Sequence, residues 1–431
     1  MKPIFTGLTV ITACIGCAAI TLPEAQRQLF ARNYDIAIVR QESVVHELEV
    51  EEARSVWHPF IRAAGSYVYQ TEVPQIELEI APFPPMQKSL GDKDRVEAGF
   101  DVGYAFPLGM SNFHSVKSRE LAMAADCEVR LSLENRVSFE LGMLYFAWDM
   151  ACRAVETQQA LLNQLDSYAA QVRDLRDAGV ATSARVSEAE ARHAMAAVQL
   201  GLARDRVDSL KLEFAFMIQS KDTALSPEPY PFPQDSSLEQ LALEAPLNTD
   251  RPEVRTMNLS MARLAAARRA LSGSRFPVLT AAAGYRVANP GINMGADEFM
   301  GYGQAAVNLS WNIYDGLKTR AQMEQMRSGA LVVQLQKEKL VDNLGKAVAL
   351  ARQRTLQAKR QMEAAQATVA ATELFAQDLK NAVDAGTATP TDYLNALTSV
   401  AQAKLSYDQA ACALKMSFLS LLFTNGESIK Y

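Results

Sequence analysis

Histidine and cysteine are scarce in this chain, which limits the chemistry it can host. The four histidines among 431 residues, His46, His58, His114 and His193, are far apart. No cluster of His, Cys, Asp and Glu has the spacing of metal ligands, so neither a metal nor another cofactor is expected. Cys14, Cys17, Cys127, Cys152 and Cys412 form no dense disulfide framework and no zinc pattern. The last three read as small core residues. The net charge of −6 comes without a basic stripe interleaved with aromatics, so nucleic acid is not an expected partner. There is no nucleotide-binding loop, nucleophile elbow or paired-carboxylate site, and no enzymatic activity is expected. Beyond residue 20 no run approaches the ~18 to 20 uninterrupted apolar residues of a spanning helix. If the mature chain crosses a membrane, it must do so with β-strands.

What is present begins with an export signal. Met1-Lys2 precedes an apolar run from Ile4 to Ile15 and small residues ending Cys17-Ala18-Ala19, the form of a secretory leader. Two processings fit: cleavage after Ala18 or Ala19, or lipidation, for which Ile11-Thr12-Ala13-Cys14 has the lipobox form and Cys17 is a poorer candidate. The chain then repeats itself. Asn33-Tyr34-Asp35-Ile36 matches Arg251-Pro252-Glu253-Val254 and Pro59 matches Pro277, both 218 residues apart. Gly109 with Gly316, Gly179 with Gly386, Ala189 with Ala396, Leu212 with Leu419 and Phe216 with Phe423 are each 207 apart. The difference places an insertion of eleven residues between Pro59 and Gly109. Pro74, Pro82, Pro84 and Pro85 in that interval suit a surface loop. The partition is a leader over 1–19, a first repeat over 20–220, a proline-rich linker over 221–250, a second repeat over 251–426 and a short tail over 427–431. Each repeat reads helix, strand, strand, very long helix, turn, return helix. Thr21-Leu22-Pro23-Glu24 is a capping-box start, and Asp250-Arg251-Pro252-Glu253 has the same form.

The strand segments alternate. Val307, Leu309, Trp311 and Ile313 fall on one side, and Asn308, Ser310 and Asn312 on the other. Phe100, Val102, Tyr104 and Phe106 oppose Asp101, Gly103 and Ala105 in the same way. A strand with lipid on one side and water on the other has this pattern, as does a half-buried strand of a soluble sheet. On the membrane reading, Tyr67, Tyr69 and Tyr285 supply interfacial aromatics. Four strands cannot close a membrane barrel, which starts at about eight, and an open edge is not tolerated in lipid. Three chains would make about twelve strands, so the membrane reading requires a homotrimer.

From Gly109 to Gly179 and from Gly316 to Gly386 there is no proline. A continuous helix of that length would reach ~105 Å, far beyond a globular core. After each turn alanine recurs every seven residues, at Ala189, Ala196 and Ala203 and at Ala396, Ala403 and Ala410. A strict heptad keeps one seam against a partner helix, so coiled-coil pairs are expected. The fold class is therefore mainly α with a membrane β-barrel portion: two tandem helix-strand-strand-helix repeats, forming in the trimer a twelve-stranded barrel continued by a long α-helical coiled-coil tunnel. The competing reading is a periplasmic coiled-coil scaffold or adhesin-type stalk without a pore.

The chain resembles the TolC-like outer-membrane efflux family. The resemblance is carried by Ala385-Gly386-Thr387 with Asp392-Tyr393-Leu394-Asn395-Ala396, by the run from Ala401 to Tyr407, and by Trp311-Asn312-Ile313-Tyr314-Asp315-Gly316. It implies a trimeric barrel in the bacterial outer membrane, a helical tunnel through the periplasm, and docking to a periplasmic adaptor that works with an inner-membrane transporter. It also implies a closable aperture at the periplasmic turns. Asp384, Asp392 and Asn395 are candidates to line it on one tip, and Asp177, Arg185 and Glu188 on the other. Gly179, Gly386 and Thr387 mark the tips where an adaptor would dock. Ala388 stands where one familiar form of the motif carries a basic residue.

Overall fold

A computed structural model describes residues 18–79, 82, 84–89, 91–220, 225–230, 246–293 and 298–431, without the side chains of residues 78, 88 and 384. Cys14 and Cys17, the two lipidation candidates, lie outside the described residues, as do most of the leader and positions 221–224 and 231–245 of the linker. The chain divides into two compact units. One comprises Met1–Arg40, Val129–Val254 and Glu338–Tyr431; the other comprises Gln41–Glu128 and Arg255–Lys337.

The second unit is organised on a four-stranded sheet. Its strands are β2 (Phe60–Tyr69), β5 (Asp94–Pro107), β7 (Val278–Asn289) and β8 (Met300–Ser310), in the order β2-β5-β7-β8. Every pairing is antiparallel. The interval expected to be a loop tip holds a small hairpin instead, β3 (Gln75–Leu78) paired with β4 (Met86–Ser89). The prolines fall before, between and beside its short strands, where no ladder hydrogen bond is lost.

The strand expected to run through Ile313 ends at Ser310. Trp311 and Ile313 follow it in irregular chain. The reason lies on the neighbouring strand. Ser310 pairs with Val278, the first residue of β7, so β7 offers no further residue to continue the ladder. The Pro277 carbonyl faces β5, accepting from Leu108 N at 3.0 Å, and Trp311 Nε1 donates to the Arg275 carbonyl at 3.0 Å.

The first unit contains the strand pair β1 (Ala18–Ile20) with β6 (Leu225–Pro227) and helix α1 (Leu22–Arg32). Four further helices lie wholly or largely in it: α3 (Ser111–Asp177), α4 (Ser183–Met217), α6 (Lys318–Asp384) and α7 (Pro390–Asn425). Helices α3 and α6 are each 67 residues, about 100 Å at 1.5 Å per residue. Arg173 to Glu190 at 3.1 Å joins α3 to α4, and Lys404 to Glu373 at 2.7 Å joins α7 to α6. The alanine heptads do pack inward: Ala189, Ala196, Ala396 and Ala403 are buried, with Ala203 and Ala410 half-buried.

The core centres on Leu22, Leu29, Leu141, Tyr145, Trp148, Phe214 and Ile218. The tail belongs to it. Ile429 is buried, its carbonyl accepting from Gln26 Nε2 at 2.9 Å, and Tyr431 N donates to Gln26 Oε1 at 3.1 Å. Gly142 leaves room for the Tyr431 ring, since a Cβ there would meet its hydroxyl oxygen.

Helix α2 (Tyr34–Arg54) and helix α5 (Pro252–Gly273) begin 218 residues apart. The match of Asn33-Tyr34-Asp35-Ile36 with Arg251-Pro252-Glu253-Val254 thus falls at two helix starts, and Thr21 opens a separate helix that precedes the first of them. Asn33 caps α2, its Oδ1 accepting from Asp35 N at 2.9 Å. Thr21 caps the separate α1, its Oγ1 accepting from Glu24 N at 3.3 Å.

Candidate functional site

The sheet separates its side chains by chemistry. With Phe100 opposite Tyr285, Val102 opposite Ala283 and Val307 opposite Ala281, one face is apolar across all four strands. Ile61, Tyr67, Phe100, Tyr285, Val307 and Leu309 are all exposed on it. An exposed apolar surface of this kind is expected of a membrane-facing sheet and is uncommon on a soluble one.

The opposite face carries ions. Arg286 on β7 donates to Glu97 at 2.6 Å and to Asp101 at 3.3 Å, both on β5. Two glycines let this pairing lie flat on the strands. A Cβ on Gly284 would collide with Asp101 Oδ1, and one on Gly99 would come within 2.8 Å of Arg286 Cγ. Sequence placed Asp101 on the polar side of its strand but did not single out Arg286 or Glu97; a charged residue on the polar side of each of two alternating strands was the available signal.

The helix-turn tips lie in the first unit, and their backbones match. Gly179 and Gly386 both have φ +74°, the left-handed conformation that closes a helix end. In the first turn Gly179 N donates to Arg176 O at 2.8 Å and Val180 N to Leu175 O at 2.8 Å. In the second, Gly386 N donates to Val383 O at 3.0 Å and Thr387 N to Ala382 O at 2.8 Å. Thr387 Oγ1 adds a bond to the same Ala382 carbonyl at 3.0 Å.

The tips diverge in their side chains. Asp392 is committed to a reciprocal cap on α7: its Oδ2 accepts from Thr389 N at 3.2 Å and from Thr389 Oγ1 at 2.6 Å, while its own N–H donates to Thr389 Oγ1 at 3.3 Å. This is a capping box, and the acid also suits the positive end of the helix dipole. The equivalent position on the other tip is Arg185, exposed at the start of α4. Asp177 is exposed and accepts from its neighbour Arg176 at 2.6 Å. Asp384 ends α6, and its side chain is outside the described set.

Glu188 and Asn395 are brought together by a residue the sequence reading passed over. Arg192 donates to Glu188 at 2.9 Å on its own helix and to Asn395 Oδ1 at 2.8 Å on α7. It thereby links the two helical hairpins just inside the tips. Its signal was the i,i+4 spacing from Glu188, which marks a helix-surface ion pair but not the second partner. Beneath it Leu161 and Leu165 of α3, Ala196 of α4 and Leu394, Leu397 and Ala401 of α7 form a small core.

Among the described residues no group of three or more His, Cys, Asp or Glu could hold a metal ion, and no helix is long and apolar enough to cross a membrane. Burial pushes the Cys152 and Cys412 thiols up to about 11, which leaves them protonated and unreactive near neutrality.

Residues 247–427 match a family model described as outer membrane efflux protein. No protein of curated function matches the chain in sequence. Among solved structures it is similar to CusC, described as forming a transmembrane channel, with a TM-score of 0.76 at 12% identity over 94% of this chain and 92% of that one. It is similar to the outer membrane protein VceC of Vibrio cholerae, with a TM-score of 0.74 at 14% identity over 94% and 96%. The MtrE outer membrane channel of Neisseria gonorrhoeae in its open state gives 0.74 at 16% over 95% and 89%. At these identities the structures establish the shared fold.

Proposed function

We propose, from an outer membrane efflux protein domain over residues 247–427 and the fold of outer-membrane channels along the chain, that this protein is one protomer of a trimeric channel-tunnel. It lies in the bacterial outer membrane, continues into the periplasm, and gives substrates a passive exit. The observation that carries this reading is the sheet: one face apolar across four strands, the other polar, with β2 and β8 each hydrogen-bonded on one side within the chain. Lipid does not tolerate such edges. Three copies would close about twelve strands into a barrel, with the Arg286, Glu97 and Asp101 face toward the aqueous lumen.

The helical turns are the periplasmic end on this reading. Asp177, Arg185, Glu188, Asp384, Asp392 and Asn395 line the aperture, and the Gly179 and Gly386–Thr387 tips meet a periplasmic adaptor coupled to an inner-membrane transporter. On this reading the energy for export comes from those partners.

The test is the native mass of the detergent-extracted outer-membrane fraction, followed by planar-bilayer recording. Three protomers and a stable conductance are expected. A monomer would leave open sheet edges in lipid and end the channel reading. In the recordings, Asp384→Ala combined with Asp392→Ala is expected to raise single-channel conductance. Unchanged conductance and ion selectivity would remove both acids from the aperture.

A further inference from the structure

The internal repeat is carried into the strand register of the sheet. Within the chain, β2 pairs with β5 through Phe60 and Gly103, and β7 pairs with β8 through Val278 and Ser310. Val278 lies 218 residues after Phe60 and Ser310 lies 207 after Gly103. The two hairpins therefore have the same register under the same two offsets that the sequence repeat shows.

Both hairpins are paired inside the chain, but the seam between them is present only once. That seam is β5 with β7, in which Pro107 faces Val278 and Phe100 faces Tyr285. Its counterpart would join β8 to β2, which occupy opposite edges of the sheet, so a second copy must supply the partner. We propose that β8 of one protomer pairs antiparallel with β2 of the next in the register that the repeat carries over from β5 and β7, placing Val307 against Tyr67, Leu309 against Gly65 and Trp311 against Ala63. This rests on the trimeric reading and goes beyond it by fixing the seam.

Three independent features agree with that register. Faces match, because every odd-numbered apolar position of β8 meets an odd-numbered position of β2, and a slip of one residue would turn lipid-facing side chains into the lumen. Sizes match, since Trp311 and Leu309 meet Ala63 and Gly65 while the smaller Val307 meets Tyr67. Strand length matches as well. β5 remains paired as far as Pro107, whose counterpart is Tyr314, whereas β8 ends at Ser310 for want of a partner beyond Val278. The next protomer's Phe60 to Ala63 would pair Trp311 to Tyr314 and extend the strand.

The seam also differs from its model in charge. Arg286, Glu97 and Asp101 tie β5 to β7, and their counterparts across the proposed seam are Val68, Gln304 and Asn308. The between-chain junction is held by backbone pairing and apolar contact without an ion pair at those positions.

The test uses the full chain in outer membranes, carrying Tyr67→Cys with Val307→Cys and oxidised before non-reducing electrophoresis. Directly opposed residues lie within disulfide reach and those two positions away do not. The register predicts a covalent three-chain species at least tenfold more abundant than with Tyr67→Cys plus Leu309→Cys or Tyr67→Cys plus Ala305→Cys. Each substitution to cysteine made alone, with Cys127, Cys152 and Cys412 retained, gives the background. Equal or stronger linkage in a shifted pair overturns the register, as does no preferential linkage in a preparation of trimeric native mass. A monomeric mass would instead overturn the channel reading together with it.

Discussion

Arg192 shows how a single side chain acquires a role from its surroundings. Its bond to Glu188 is an ordinary helix-surface ion pair, worth a few tenths of a kcal/mol. Its bond to Asn395 joins two hairpins that are far apart in sequence. Arg192→Ala is expected to loosen the tips and to lengthen open-state dwell times in bilayer recordings while leaving the trimer's mass unchanged. Asp408, on α7, illustrates a different cost. Burial, reinforced by Asp149 and Glu156 and opposed by Arg153 and Lys404, raises its carboxyl above the ordinary 3.8. The folded state therefore holds that proton more tightly than the unfolded chain, and stability contributed by this group rises as pH falls through the interval above 3.8. Asp408→Asn is expected to raise the denaturation midpoint at pH 7, with the advantage shrinking toward zero as wild type is acidified through that interval. An advantage that does not change with pH would point to packing instead of charge.

At the scale of elements, the turns are the most informative. Gly179 and Gly386 have left-handed backbones, and a Cβ on either would meet no atom within 4 Å. Any penalty for substitution is conformational and not steric crowding, about 1–2 kcal/mol for a side chain forced into that region. Gly386→Val should fray the ends of α6 and α7, seen as faster amide exchange around Ala382 and Thr389, with the buried Leu421 segment unaffected. The sequence located these turns because glycine after a long proline-free helical stretch has few other uses. It located the heptad seams equally well, since alanine every seven residues specifies a face. It did not reveal that Asp392 is a cap, because an acid three residues after threonine serves equally well in a cap or in a charged rim.

For the whole molecule, the proposed trimer would depend on the close approach of β5 and β7 on the sheet's polar side. Gly284 and Gly99 give Arg286 and Asp101 the space to pair across β5 and β7. Gly284→Val is expected to reduce the yield of trimer extracted from outer membranes several-fold, read by native mass, while α-helix content by circular dichroism is retained. The reason is that valine at that position displaces the Asp101 carboxylate on the sheet, whereas the helical core around Trp148 and Phe214 belongs to the other unit.

The repeat, the alternation of the strands, the length of the helices and the position of their turns were legible along the chain, because each is written in residues close together or at a constant offset. Hydrophobic periodicity and backbone preference act locally, so they can be read locally. Where β8 stops emerges only on folding, because it depends on where the neighbouring β7 begins, at Val278. The tertiary structure alone placed the tail residues Ile429 and Tyr431 against Gln26, and Arg192 against Asn395. Those contacts join positions about 200 to 400 residues apart, and their energies depend on distances that the folded chain creates.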